Sequence, residues 1–247
     1  MLGNLFHFLF ITASAATLVI HVKDGYLQPD NLWIGLKTSE LQALVNDKSI
    51  FSSVTSDNWA DASLIDDSLL RYLELEGDYI CDAPLRLPSL FVLKLFGSIT
   101  DAPTLSNNFP KWSALVMIDD VSYTAVDGGI INASVCSTTD IQAVTMTNST
   151  YCSIRNIRAS AWSDAMVGVT GGKHNEITNC DIGGYEGRVV NSTRIDRGIW
   201  SLAHSHGYIH GNYIHHVTAY GIDFDAYTTN SIAFNNTCND NGKILEI

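Results

Sequence analysis

The sequence predicts an all-β fold, a right-handed parallel β-helix, on three observations. A single short helical pattern gives way to strand and turn patterns only; apolar residues recur in pairs ten positions apart; and asparagine and glycine punctuate the repeated runs. The pairs are Val116/Val126, Val144/Ile154, Val167/Ile177, Ile199/Ile209 and Ile222/Ile232. First members lie 28, 23, 32 and 23 residues apart, and second members follow the same intervals. A constant offset beside a variable remainder means two strands and their turn are fixed while a third connection absorbs insertions. Equivalent residues of successive coils then stack at about 4.8 Å.

Leu2 to Ile20 carry no charged side chain, and Ala13-Ser14-Ala15-Ala16 follows the apolar run Leu5 to Ile11. This pattern is expected for a secretory signal over residues 1–16, with an extension over 17–57. A buried first strand is the competing reading of the same run. Ala62, Ile65, Leu69 and Leu70 follow helical spacing and predict a short amphipathic helix over 61–70, near the start of a β-helix over 58–247. Residues 73 to 80 and 90 to 97 are β-rich runs closed by turn residues. Asn156, Asn179 and Asn212 are expected in left-handed turn positions after the second strand, and Gly128, Gly129, Gly168, Gly198 and Gly221 at tight corners. The chain ends on Asn-Gly-Lys-Ile-Leu-Glu-Ile, a coil without a polar cap, so truncation or a covering partner is expected there.

The chain has 247 residues, 46% hydrophobic, enough for a real core, and a net charge of −12. That charge excludes general nucleic-acid and anionic-membrane binding, and no stretch beyond the first has the length to span a bilayer. Residues 1–150 hold 7 basic and 17 acidic groups, whereas 151–200 hold 6 and 5. An anionic partner therefore meets least repulsion at the middle segment, which carries Arg155, Arg158, Lys173, Arg188, Arg194 and Arg197. Sequons at Asn132, Asn148, Asn191 and Asn235 agree with secretion. Cys81, Cys136, Cys152, Cys180 and Cys238 contain no Cys-x-x-Cys pair, which argues against zinc and leaves one or two disulfides open.

"Ala-Pro-Leu-Arg-Leu-Pro-Ser" (83 to 89), "Asp-Gly-Gly-Ile-Ile-Asn-Ala-Ser" (127 to 134) and the Asn-Ile coils resemble pectin-lyase-like right-handed β-helix proteins over roughly residues 58 to 247. The resemblance implies the fold more than the activity, and it implies that the short helix over 61–70 caps the amino end of the β-helix. "Tyr-Gly-Ile-Asp-Phe-Asp-Ala-Tyr" (220 to 227) also resembles the catalytic motif of alginate (mannuronan) C5-epimerases, with Tyr220, Gly221 and Asp223 matching and Phe224, Asp225 and Ala226 departing from it.

Coil arithmetic then collects candidate chemistry. With Ile199 and Ile222 facing inward, Trp200, Asp223 and Asp225 face outward. Adding 23 places Asp223 over Trp200, Tyr220 over Arg197 and Tyr227 over His204. Chemistry at C5 of a uronic acid needs its carboxylate neutralised, a base for the C5 proton and a proton donor. Arg194 or Arg197 is the candidate neutralising group, His204, Tyr220 and Asp223 the candidate catalytic residues, and Trp200 and Tyr227 candidate sugar platforms. Asp223 and Asp225 are candidate Ca²⁺ ligands.

The expectation is a secreted or wall-located protein acting on an extracellular acidic polysaccharide by β-elimination or C5-epimerisation. A noncatalytic polysaccharide-binding or wall-structural β-helix is the rival, with glycoside hydrolysis by Asp223 and Asp225 third. Each residue has a plainer reading too: solvated carboxylates, outward polar histidines at 204, 206, 210, 215 and 216, and a solvated arginine loop.

Overall fold

The structure, a computed structural model, describes Leu18–Lys23, residues 42, 45–46, 71–101, 113–133, 141–161, 165–183 and 197–239, and Lys243–Glu246. From residue 71 onward every described regular element is a strand. The strands form three sheets, of seven, eight and seven strands, and all pairings within them are parallel. The chain visits the sheets in rotation, so each circuit adds one strand to each; this is compatible with a parallel β-helix.

Sheet 1 holds Leu85–Arg86, Ala114–Asp119, Gln142–Thr147, Ala165–Thr170, Arg197–Leu202, Tyr220–Phe224 and Lys243–Glu246. Sheet 2 runs from Leu18–Lys23 through Arg71–Glu76 and Phe91–Leu95 to Ile232–Phe234, and sheet 3 from Asp78–Cys81 to Thr237–Asn239. Leu18–Lys23, in the stretch expected as an extension, pairs with Arg71–Glu76 as the first strand of sheet 2. The signal-sequence expectation over 1–16 and the helix expected over 61–70 lie outside the described residues.

The apolar pairs set the register. In sheet 1, Val116, Val144, Val167, Ile199 and Ile222 are successive partners, each at most 3% exposed. In sheet 2, Val126, Ile154, Ile177 and Ile209 are partners in the same way. The last pair departs from the pattern: Ile209 faces Ala233, while Ile232 faces Tyr208 and is 49% exposed. The turn after Phe224 holds one residue more than its predecessors, as the bridge between Ser205 and Thr229 shows.

The short turns from sheet 2 to sheet 3 place Gly128, Asn156, Asn179, Gly211 and Asn235 at positive φ, where glycine and asparagine cost least. Asn212 stands one position later, inside the coil, instead of at the expected left-handed position. Its Oδ1 accepts from Cys180 N at 2.9 Å, and its Nδ2 donates to Ile177 O and to Asn236 Oδ1. Asn236 repeats the motif one coil on, donating to Ile209 O. Gly168, Gly198 and Gly221 lie within strands, not at corners. A Cβ on Gly168 would overlap the Gln142 amide, which lies across it on the outer face of sheet 1. The four described cysteines, Cys81, Cys152, Cys180 and Cys238, form no disulfide, and burial pushes the Cys152 and Cys180 thiols up to about 11 and about 12.

At the amino end of sheet 1 the side-chain amide of Gln42 bonds both the N–H and the carbonyl of Arg86, and Val45 joins the core. The side chain thereby takes the place of a further strand at an edge that begins with Leu85–Arg86.

Candidate functional site

Parallel register brings the outward residues of the strands Arg197–Leu202 and Tyr220–Phe224 together: Arg197 beside Tyr220, and Trp200 beside Asp223. The Arg197 guanidinium lies 5.2 Å from the Trp200 ring and 6.0 Å from the Tyr220 ring. Its Nε donates to Asp223 Oδ2, and Asp223 is 4% exposed. A buried carboxylate without a cation would be strongly penalised, so the pair stands or falls together.

Asp225, the residue after that strand, has both oxygens engaged. Oδ1 accepts from Ala226 N at 2.6 Å and Oδ2 from Trp200 Nε1 at 3.1 Å. These two donors, the first above all, and then the Arg197 charge hold its carboxyl below the usual carboxylate range. The indole is thus fixed from two sides, by the guanidinium on its face and the carboxylate on its N–H.

Asp223 and Asp225, the expected calcium ligands, both spend oxygens on protein donors. A cation there would compete with the Arg197 guanidinium for one carboxylate and with two N–H donors for the other. Among the described residues no group of three or more His, Cys, Asp or Glu converges on a metal-sized point.

Two expected members of the site lie elsewhere. His204 is 3% exposed inside the turn between sheets 1 and 2, with Nε2 3.3 Å from Asn175 Nδ2. The amide also donates to Ser149 O, so it acts as donor to the imidazole and Nε2 as acceptor. Burial, then the neighbouring His174 and His206, push His204 down to about 4. Tyr227 is 86% exposed and does not lie over His204, because the extra residue in its turn shifts the register by one. Arg194 lies outside the described residues.

Coil arithmetic applied to the other faces would have found more. On sheet 2, Glu176 Oε1 lies 2.5 Å from His210 Nε2, His210 Nδ1 lies 3.2 Å from Thr178 Oγ1, and Arg155 pairs with Asp127. Burial raises the Glu176 carboxyl, with His210 and Arg155 opposing. On sheet 3, Asp181 Oδ1 holds His215 Nε2 at 2.9 Å, and His215 Nδ1 meets His216 Nδ1 at 2.7 Å. In the turn from sheet 1 to sheet 2, Tyr123, Tyr151 and His174 stack ring on ring, and His206 adjoins His174 at a tilt of 33°. Their spacings, 28, 23 and 32, are those of the apolar pairs.

Comparison with protein-family models, with curated proteins and with solved structures finds no match.

Proposed function

We propose that this chain is a secreted, pectin-lyase-like right-handed β-helix that binds an extracellular uronate polysaccharide on the outer face of sheet 1. The observation carrying this reading is the Arg197 guanidinium packed against Trp200 and Tyr220. Among the described residues only its Nε is hydrogen-bonded, so its terminal nitrogens remain as a fork of the shape a sugar carboxylate accepts. Trp200, locked by Asp225, supplies a rigid apolar surface for the sugar ring.

Binding is favoured over conversion because the proton-transfer groups are committed elsewhere. Asp223 is tied to Arg197 and His204 is enclosed in the turn. The adjacency of Tyr220 to Arg197 favours β-elimination or epimerisation as the second reading, with the phenol as the proton carrier.

Incubation with polygalacturonate and alginate separates the two. The binding reading expects saturable association, weakened by Arg197→Lys, with neither unsaturated-product absorbance nor C5 proton exchange. Either chemical signal, lost in Tyr220→Phe, would establish the second reading; absence of binding across uronate polymers would remove both. Calcium chelation is expected to leave the binding unchanged.

A further inference from the structure

Sheet 3 carries a histidine pair that neither the sheet 1 face nor the core uses. The strand Tyr213–His215 ends on His215, and His216 follows it at a φ of 53°. With His216 in that left-handed position the two imidazoles lie edge to face, 89° apart, and their Nδ1 atoms are 2.7 Å from one another. Both residues are half-buried.

The His215 ring is fixed through its other atoms. Its Nε2 lies 2.9 Å from Asp181 Oδ1, and since a carboxylate only accepts, Nε2 donates. In the neutral ring the lone pair then sits on Nδ1, toward His216. Arg158 Nε lies 3.6 Å from the other oxygen of Asp181, and Tyr213 stacks on the imidazole at 4.8 Å. Gly183, the register partner of His215 in the preceding coil, leaves room for the ring: a Cβ there would fall 2.3 Å from His215 Cε1 and 2.6 Å from its Nδ1. A carboxylate on the far nitrogen is what orients a metal-ligating histidine and raises its basicity.

We infer that His215 and His216 chelate a divalent transition-metal ion through their Nδ1 atoms, Cu²⁺ in preference to Zn²⁺, with water completing the coordination. Metal–imidazole bonds of about 2.0–2.1 Å set neighbouring ligand nitrogens roughly 3 Å apart, close to the spacing already present. As the ion enters, the His216 ring exchanges its Nδ1 proton for one on Nε2, so the ring stays neutral and both lone pairs face the metal. Imidazole nitrogen suits Cu²⁺, Ni²⁺ and Zn²⁺, and affinity peaks at Cu²⁺. Structural zinc takes four protein ligands, and among the described residues no third His, Cys, Asp or Glu joins the pair, whereas tetragonal Cu²⁺ is completed by solvent. Asp181 is then a positioning residue, acting through His215. The site lies on sheet 3 and is independent of uronate binding on sheet 1.

The test titrates Cu²⁺, and separately Zn²⁺, into the full chain after dialysis against a chelator. Cu²⁺ should bind saturably at one ion per chain, with electron paramagnetic resonance showing coupling to two nitrogens, and Zn²⁺ should bind more weakly. His216→Asn removes one ligand while asparagine keeps the left-handed turn, as Asn156, Asn179 and Asn235 do elsewhere. Gly183→Ala keeps both ligands and displaces the His215 ring. Each should raise the Kd for Cu²⁺ at least tenfold, and Asp181→Asn roughly tenfold, with circular dichroism confirming the fold. His206→Asn, in the turn between sheets 1 and 2, should leave the affinity unchanged. Wild type that binds no Cu²⁺, equal affinity in wild type, His216→Asn and Gly183→Ala, or a loss confined to His206→Asn overturns the site.

Discussion

At the scale of single residues, His204 shows how a plausible catalytic histidine becomes a structural one. The imidazole replaces a turn residue inside the coil, where Asn175 donates to it and solvent is excluded. Its folded pKa of about 4 lies below the ordinary 6.5, so between those values the unfolded chain binds the proton and the folded one refuses it. Stability is therefore lost as pH falls from 6.5 toward 4, by about 3 kcal/mol in full. Urea unfolding across that range should show the loss, and His204→Gln should flatten it. Residue type and spacing placed Arg197, Trp200, Tyr220, Asp223 and Asp225 on one face, as the structure does. They gave no hint that Asp223 would be buried or that His204 would turn inward. Which way a turn residue points depends on backbone angles that composition does not encode.

At the scale of elements, the polar turns are as much part of the architecture as the apolar rows. Asn212 satisfies the N–H of Cys180 and the carbonyl of Ile177, and links to Asn236 in the next coil. Asn212→Leu would leave those buried backbone groups without partners, a cost of about 2–4 kcal/mol. Chemical denaturation should report it as a lower midpoint with an unchanged slope. The sheet 1 rows were legible through the 28, 23, 32 and 23 intervals because inward apolar positions admit few substitutes. The extra residue after Phe224 was not. Ile232 satisfied the ten-residue rule by coincidence while Ala233 took the inward slot, and a one-residue slip reverses which face a side chain takes. The glycines in sheet 1 strands were misplaced for a related reason: Gly168 answers to a neighbouring side chain, Gln142, that no local pattern reveals.

For the whole molecule, coils touch mainly their neighbours, so the distribution of charge along the chain matters more than its total. The net charge of −12 is carried largely by residues 1–150, while the candidate face lies at 197–225. On the proposed reading, a polyanion meets long-range repulsion before its carboxylate reaches the terminal nitrogens of Arg197. Raising salt from low to physiological strength should then speed association, the reverse of a basic polyanion binder; stopped-flow rates against ionic strength would show it. Titrating polygalacturonate into wild type and Trp200→Ala under calorimetry tests uronate binding on sheet 1 most directly. The predicted result is saturable heat in wild type and a roughly tenfold or greater loss of affinity in the variant. Equal binding by the two, or no binding by either, would contradict it.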